Sequence, residues 1–210
     1  MMDFCVLGSG VAGSTIASLL SKKYSVQVFD KARGPGGRSS NKRLKKNLSF
    51  DHGVQYISPK TKEFTKLIQK LSQKKIFKIW DGNHLDFTFE KKIFVPKYIG
   101  LKANNALSKY YLKKVKLSFA SQIIKIKYKK YFWEIELNDN SKHQFKALIL
   151  TCPFPQVKRL ARKYLEKKVS NLKIQMQPNI TVMIALKNQK KIPISSIKFD
   201  DNVLAWAANE

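Results

Sequence analysis

Cysteine, glycine and acidic residues are scarce in this 210-residue chain: two Cys, nine Gly and 14 Asp plus Glu stand against 41 Lys plus Arg. Cys5 sits in an apolar run and Cys152 beside Pro153, a usage that excludes a disulfide framework and any CxxC or zinc spacing. No metal site is expected, and a reducing cytoplasm suits such a chain. The shortage of acid leaves a formal net charge of +27, which by itself points to an anionic partner. The distribution argues against one. Lysines recur along the whole chain, from Lys22 and Lys23 through Lys74 and Lys75 to Lys167 and Lys168, without a tail of five or six like charges. They read as a solvated surface, and no specific nucleic-acid partner is expected.

Long hydrophobic runs are missing as well. Apart from Phe4 to Leu20, no stretch approaches the ~18 apolar residues that span a bilayer, and no transmembrane segment is expected. The apolar stretch from Phe4 to Leu20 lacks a basic leader and carries glycines at structured spacing, unlike a secretory signal. The chain is nonetheless 43% hydrophobic, enough at this length for one good core or two small ones.

The first sixty residues carry the chemistry. Phe4 to Leu7 is a short continuous apolar run, the pattern of a strand buried on both faces of a parallel sheet. The turn Gly8-Ser9-Gly10-Val11-Ala12-Gly13 follows, then a helix with Ile16, Ala17, Leu19 and Leu20 on one face, then a strand from Ser25 to Phe29 ending at Asp30. Strand, glycine turn, helix, strand and acid in this order, with about 20 residues between turn and acid, form a dinucleotide-binding βαβ unit. Gly8 makes the tight turn, Gly10 lets backbone approach a pyrophosphate, and Gly13 permits close packing of helix on strand. The N–H groups at the helix start, those of Val11 and Ala12 among them, would face the phosphates. Asp30 would accept hydrogen bonds from ribose hydroxyls and disfavours a 2′-phosphate, with Lys31 counted beside it. The next segment, Lys31 to Ser40, holds Gly36 and Gly37 for a second close backbone approach, and Arg38 as a donor-rich cation to offset pyrophosphate charge.

GSGVAG, VFDKARGPGGRSS and the later Phe50-Asp51-His52-Gly53-Val54-Gln55-Tyr56 together closely resemble renalase-like flavoproteins of the amine-oxidase superfamily. The resemblance implies FAD as cofactor. The first glycine turn and Asp30 would bind the ADP half, and the loop with Gly37 and Arg38 would lie along the pyrophosphate and ribityl chain. The FDHGVQY segment resembles the family's strand beside the isoalloxazine ring, which makes Gly53, Val54 and Gln55 the expected flavin contacts. Ile123 is expected as a backbone contact to the adenine. No catalytic residue is assigned, because hydride transfer to a flavin needs no histidine, and His52 is read as a packing or orienting residue. The implied activity is that of an FAD-dependent oxidoreductase, taking hydride from a small organic donor, a dihydronicotinamide isomer or an amine, with oxygen or another acceptor reoxidising the flavin. The family's C-terminal Gly-Asp segment has no counterpart here, so the chain is expected to be C-terminally truncated relative to the pattern.

Along the remainder, Thr61 to Gln73 has amphipathic helical spacing, Phe87 to Val95 reads as a hairpin, and Ala103 to Lys113 as another helix. Val115 to Phe119 reads as a strand, and Ile124 to Tyr128, Phe132 to Leu137 and His143 to Leu150 form a β-meander with a turn at Asn138 to Asn140. A basic helix over Gln156 to Leu165 and strands over Ile180 to Leu186, Ser196 to Phe199 and Leu204 to Asn209 complete the reading. The expected fold is α/β: a Rossmann-like FAD-binding domain with β-meander (1–58 and 97–153) interleaved with a smaller α+β substrate domain (59–96 and 154–210). Two alternatives stay open: an NAD-binding oxidoreductase or sensor built on the same βαβ unit, and a basic anion- or nucleic-acid-binding protein with a vestigial nucleotide fold.

Overall fold

A computed structural model of the chain describes residues 1–45, 48–86, 96–187 and 193–209. In chain order the strands are β1 (Met2–Leu7), β2 (Val26–Phe29), β3 (Lys42–Lys45), β4 (Leu48–Phe50), β5 (Phe77–Ile79), β6 (Asn83–Asp86), β7 (Tyr98–Gly100), β8 (Lys116–Ser118), β9 (Ile123–Lys129), β10 (Phe132–Leu137), β11 (Lys142–Leu150), β12 (Ile194–Lys198) and β13 (Trp206–Ala208). The helices are α1 (Val11–Leu20), α2 (Lys62–Gln73), α3 (Ala106–Leu112), α4 (Phe154–Ala161) and α5 (Lys167–Ser170). Contacts divide the chain into two compact units, one of Met1–Ser40 with Asn105–Ile180, the other of Asn41–Asn104 with Thr181–Glu210.

The first unit is built on a six-stranded sheet in the order β8-β2-β1-β11-β10-β9. β8, β2, β1 and β11 run parallel, and β11, β10 and β9 continue as an antiparallel meander. Successive residues of a strand point to opposite faces, and both faces of this sheet are covered. Cys5 and Phe29 pack with Ile126, Ile135, Leu137 and Phe145 on one side, while Val6, Val26 and Val28 pack with Ala17 of α1 and Leu112 of α3 on the other. Two-sided burial is why Phe4 to Leu7 of β1 reads as a continuous apolar run rather than an alternating one. Each fully buried Val or Phe contributes about 1.5–3 kcal/mol of transfer free energy, so burial on the sheet is a main source of this unit's stability.

The parallel sheet, helix and meander match the α/β, Rossmann-like expectation. α3 is shorter than its helical spacing suggests, because Asn104 leaves the helix to hydrogen-bond Gly100 N–H and the carbonyls of Val54 and Gln55. α4 begins earlier than expected, at Phe154, with Pro155 in its first turn, where a missing N–H costs nothing. It gives way to a 3₁₀ turn at Arg162–Tyr164.

In the second unit, α2 is capped by Thr61, whose hydroxyl accepts from Phe64 N–H, and buries Ile68 and Leu71 completely. β3 pairs with β4, β5 with β7, and β13-β12-β6 form a three-stranded sheet. The strand expected over Ile180 to Leu186 does not form. Ile180, Val182, Ile184 and Leu186 alternate in sequence, but the segment is exposed and without a ladder partner among the described residues. Strand propensity describes how well a side chain fits a paired, half-buried surface, and no partner provides that surface here. The hairpin expected over Phe87 to Val95 lies outside the described residues.

Candidate functional site

The sheet of the first unit reverses direction of growth at β1. From β1 the chain steps to β2 and then β8 on one side, and returns to β11 on the other. In open α/β sheets ligands bind at the carboxyl ends of strands at such a switch point. The residue after β1 is Gly8.

Gly8 takes φ +106°, a conformation that favours glycine, and its N–H donates to Phe29 O at 2.8 Å. Thr151, just past β11, closes the turn from the other side: its N–H and hydroxyl both donate to Leu7 O, at 2.9 and 2.8 Å. A side chain on Gly13 would meet Gly8 O at 1.9 Å, so α1 lies against the strand end as closely as a bare backbone allows. Gly10 is the N-cap of α1 and provides no side-chain cap. The N–H groups of a first helical turn have no partners within the helix, and no acid occupies that turn, so these donors suit an anion.

Asp30, at the end of β2, faces this turn. Its Oδ2 accepts from Ser9 N–H at 2.7 Å and from the Ser9 hydroxyl at 2.5 Å, and its Oδ1 accepts from Ala32 N–H at 2.9 Å. The acid therefore braces the glycine turn, a role that spacing alone does not reveal. Ser121 N–H donates to Asp30 O at 3.0 Å and Ala120 N–H to Ala32 O at 2.9 Å. These bonds lead the chain past the acid into β9, where Ile123 opens the strand with its side chain in the core.

The second glycine loop returns to the first. Gly36 and Gly37 take φ +131° and +54°, both in the region that favours glycine. Gly36 N–H donates to Ser9 O at 3.1 Å, and Gly10 and Gly36 form a parallel bridge. Ser39 N–H and hydroxyl both donate to Gly36 O, at 2.9 and 2.8 Å, fixing the short 3₁₀ turn that carries Arg38. Arg38 and Lys31 are exposed. Cys152 is half-buried, and burial pushes its thiol up from its ordinary value, with Lys31 a smaller opposing influence. Cys5 is fully buried and its thiol is pushed up more strongly. Raised thiols stay protonated, so neither cysteine is set up as a nucleophile.

Gly8, Ser9, Gly10, Val11, Ala12, Gly13, Asp30, Lys31, Gly37, Arg38 and Ile123 all fall in the first unit. Gly53, Val54 and Gln55 belong to the second. There the segment expected as a strand beside the flavin is instead a loop after β4, because its polar groups bond to distant partners rather than to a neighbouring strand. Asn104 Nδ2 donates to Val54 O and Gln55 O at 3.0 and 2.7 Å, Asn104 N–H donates to Asp51 Oδ2 at 2.9 Å, and Gln55 Nε2 donates to Asp51 O. Gly53 and Val54 are exposed. His52 offers its carbonyl to the Thr181 hydroxyl at 3.0 Å. Asp51, Asn104 and Thr151 were not anticipated; a buried asparagine or threonine bonding across many residues leaves no periodic signal.

Among the described residues no helix is long and apolar enough to cross a membrane.

Residues 6–71 match a family model described as an NAD(P)-binding Rossmann-like domain. The chain is similar to mouse (Mus musculus) renalase, 30% identical over 178 residues that cover 76% of this chain and 49% of renalase. It therefore spans about half the length of that relative. A 53-residue stretch is 40% identical to an uncharacterized protein of Methanocaldococcus jannaschii, covering 25% of this chain and 14% of that one. Among solved structures, a redesigned putrescine oxidase superposes with TM-score 0.62 at 10% identity, covering 80% of this chain and 62% of the other. A structure titled putative protoporphyrinogen oxidase, from Exiguobacterium sp. 255-15, gives 0.59 at 8% identity, covering 80% and 63%. At such identities these likenesses speak for the fold.

Proposed function

We propose that this chain, which is renalase-like, acts as an FAD-dependent oxidoreductase that takes hydride from a small organic donor. The observation that carries the reading is the main-chain contact between two glycine loops, Gly36 N–H on Ser9 O and Gly10 bridged to Gly36, at the uncapped start of α1. One glycine turn and one acid suit any dinucleotide. The second loop, with two left-handed glycines and an exposed arginine beside the first, suits a longer diphosphate-linked cofactor such as FAD.

In this reading Gly8, Ser9, Gly10, Val11, Ala12 and Gly13 receive the diphosphate with backbone N–H groups. Asp30 and Lys31 hold the adenosine ribose, with Asp30 Oδ1, which accepts one protein hydrogen bond, taking a hydroxyl. Ile123 meets the adenine with its backbone. Gly37 admits the ribityl side closely, and Arg38 supplies charge-assisted donors to the diphosphate. Gly53, Val54 and Gln55 are the proposed contacts of the flavin ring. FAD, when bound, accepts the hydride and passes electrons on to oxygen or another acceptor. The chain's own residues bind, orient and exclude water, and no acid–base side chain is required of them. The donor class proposed is a dihydronicotinamide isomer or an amine, the domain division is 1–58 with 97–153 against 59–96 with 154–210, and the compartment is the cytoplasm.

Purification and an absorption spectrum test this. A yellow protein, or a colourless one that takes up added FAD with quenching of flavin fluorescence, is expected. A chain that takes up NAD⁺ but no FAD would favour the nicotinamide alternative, and one that takes up neither would refute the nucleotide reading.

A further inference from the structure

Two left-handed glycines in succession make the Gly34–Gly37 loop intrinsically free, yet it must hold one conformation to face the first glycine turn. From the side of the turn, only backbone holds it: Gly36 N–H on Ser9 O, and Gly37 so near that a side chain there would come within 3.1 Å of Gly10 Cα. The opposite support comes from a residue more than sixty positions away. Asn105, the N-cap of α3, is 6% exposed, and its Nδ2 donates to Pro35 O at 3.2 Å. Its Cβ lies 2.8 Å from where a Gly36 side chain would begin. α3 itself is anchored on α1, with Leu112 buried beside Ala17.

The choice of asparagine at this place is informative. Among the described residues, buried Asn105 Oδ1 accepts no hydrogen bond, and Ser108 Oγ one turn on, fully buried, has no partner either. Residues three apart share a helix face, so α3 presents two unpaired polar groups in its buried surface. A leucine has the same branched skeleton without an unpaired carbonyl, and unpaired buried polar atoms are unfavourable. What asparagine has and leucine lacks is the donor to Pro35.

We infer that Asn105 is a positioning residue of the cofactor site: through Nδ2 and its Cβ it clamps the Gly34–Gly37 loop against the first glycine turn. This rests on the reading of the two turns as a diphosphate cradle; the clamp itself is a statement about the free chain and can be read without cofactor.

Three proteins of the whole 210-residue chain test it: wild type, Asn105→Leu, which keeps the branched heavy-atom skeleton and removes the donor, and Leu112→Ala, which loosens α3 packing without touching the loop. An arginine-specific protease reports the loop directly, because Arg33 and Arg38 lie in or beside it and Arg159 and Arg162 lie exposed on and after α4. Asn105→Leu should raise cleavage after Arg33 and Arg38 severalfold relative to cleavage after Arg159 and Arg162, and Leu112→Ala should lower the melting temperature without changing that ratio. FAD titration should show affinity about tenfold lower in Asn105→Leu, the loss of one hydrogen bond's worth of binding, and within about threefold of wild type in Leu112→Ala. An unchanged cleavage ratio in Asn105→Leu, or an equal change in Leu112→Ala, overturns the clamp. No FAD uptake by wild type would defeat the cofactor reading, while the cleavage ratio would still decide the clamp.

Discussion

Gly13→Ala opposes two effects whose sizes differ. Alanine in a helix interior is favoured over glycine by about 1 kcal/mol, so propensity alone makes the variant more stable. Against this, the added carbon would sit 1.9 Å from Gly8 O and 2.6 Å from Thr151 Oγ1. Ordinary contact begins near 3.4 Å, so α1 must shift from the end of β1 by about 1.5 Å. The hydroxyl of Thr151 can rotate; Gly8 O is held, since the Ser9 N–H of the same peptide unit is fixed on Asp30 Oδ2. Overpacking of this kind costs about 1–3 kcal/mol or more, and the absence of a yielding partner puts this case at the upper end. The net expectation is a loss of about 2 kcal/mol, or roughly 4–8 °C in melting temperature at this chain length. Thermal unfolding by circular dichroism measures it. Gly34→Ala is the control, because a side chain there meets nothing within 4 Å, and it should match or slightly exceed wild type. A Gly13→Ala protein as stable as the Gly34→Ala control would refute the close approach of α1 to β1.

Arg38→Ala should weaken FAD binding by about 1–3 kcal/mol with little change in melting temperature, because the side chain is exposed and the loss is one charge-assisted contact; isothermal titration with unchanged affinity would remove Arg38 from the site. Gly10→Val should fold, since the first added carbon has ordinary 3.8 Å contacts, yet take up no FAD, because its methyls would occupy the anion's approach to α1. Retained flavin absorbance in that variant would contradict the cradle. Asp3 accepts from Lys146 Nζ at 2.8 Å and from the Ser25 hydroxyl and N–H, and these bonds hold its carboxyl well below the usual carboxylate range. A depressed native value means that its stabilisation is complete above the ordinary range and is lost as pH falls toward the native value. Asp3→Asn should therefore flatten the acid limb of stability measured by urea denaturation between about pH 5 and 2; an acid limb identical to wild type would remove Asp3 from it.

What the sequence disclosed and what it withheld divide by the range of the interactions. β1, α1, β2, β10 and α2 are written in local periodicity, and the turn at Gly8 to Gly13 in glycines that the backbone requires. The Ile180 to Leu186 run carries the same local signal as β9 and forms no strand, because pairing is a property of two segments and among the described residues it has no ladder partner. Asp30 was legible as an acid at the right spacing, but its bond to Ser9 was not. The loop from Asp51 to Tyr56 takes its shape from Asn104, and the Gly36 loop from Asn105, two neighbours on a distant stretch that carry no motif of their own. Turns set by backbone conformation are thus legible in local sequence, and side chains that reach across the chain are not.

Ser9 has a consequence of its own. Its amide and hydroxyl go to Asp30, its carbonyl receives Gly36, and its side chain is wholly enclosed. One residue thereby ties together three stretches of chain. A nucleotide arriving at such a knot finds the freezing of motion largely completed during folding, so more of its contact energy appears as affinity. By the same logic a change at Ser9 should weaken the proposed ribose and diphosphate contacts together.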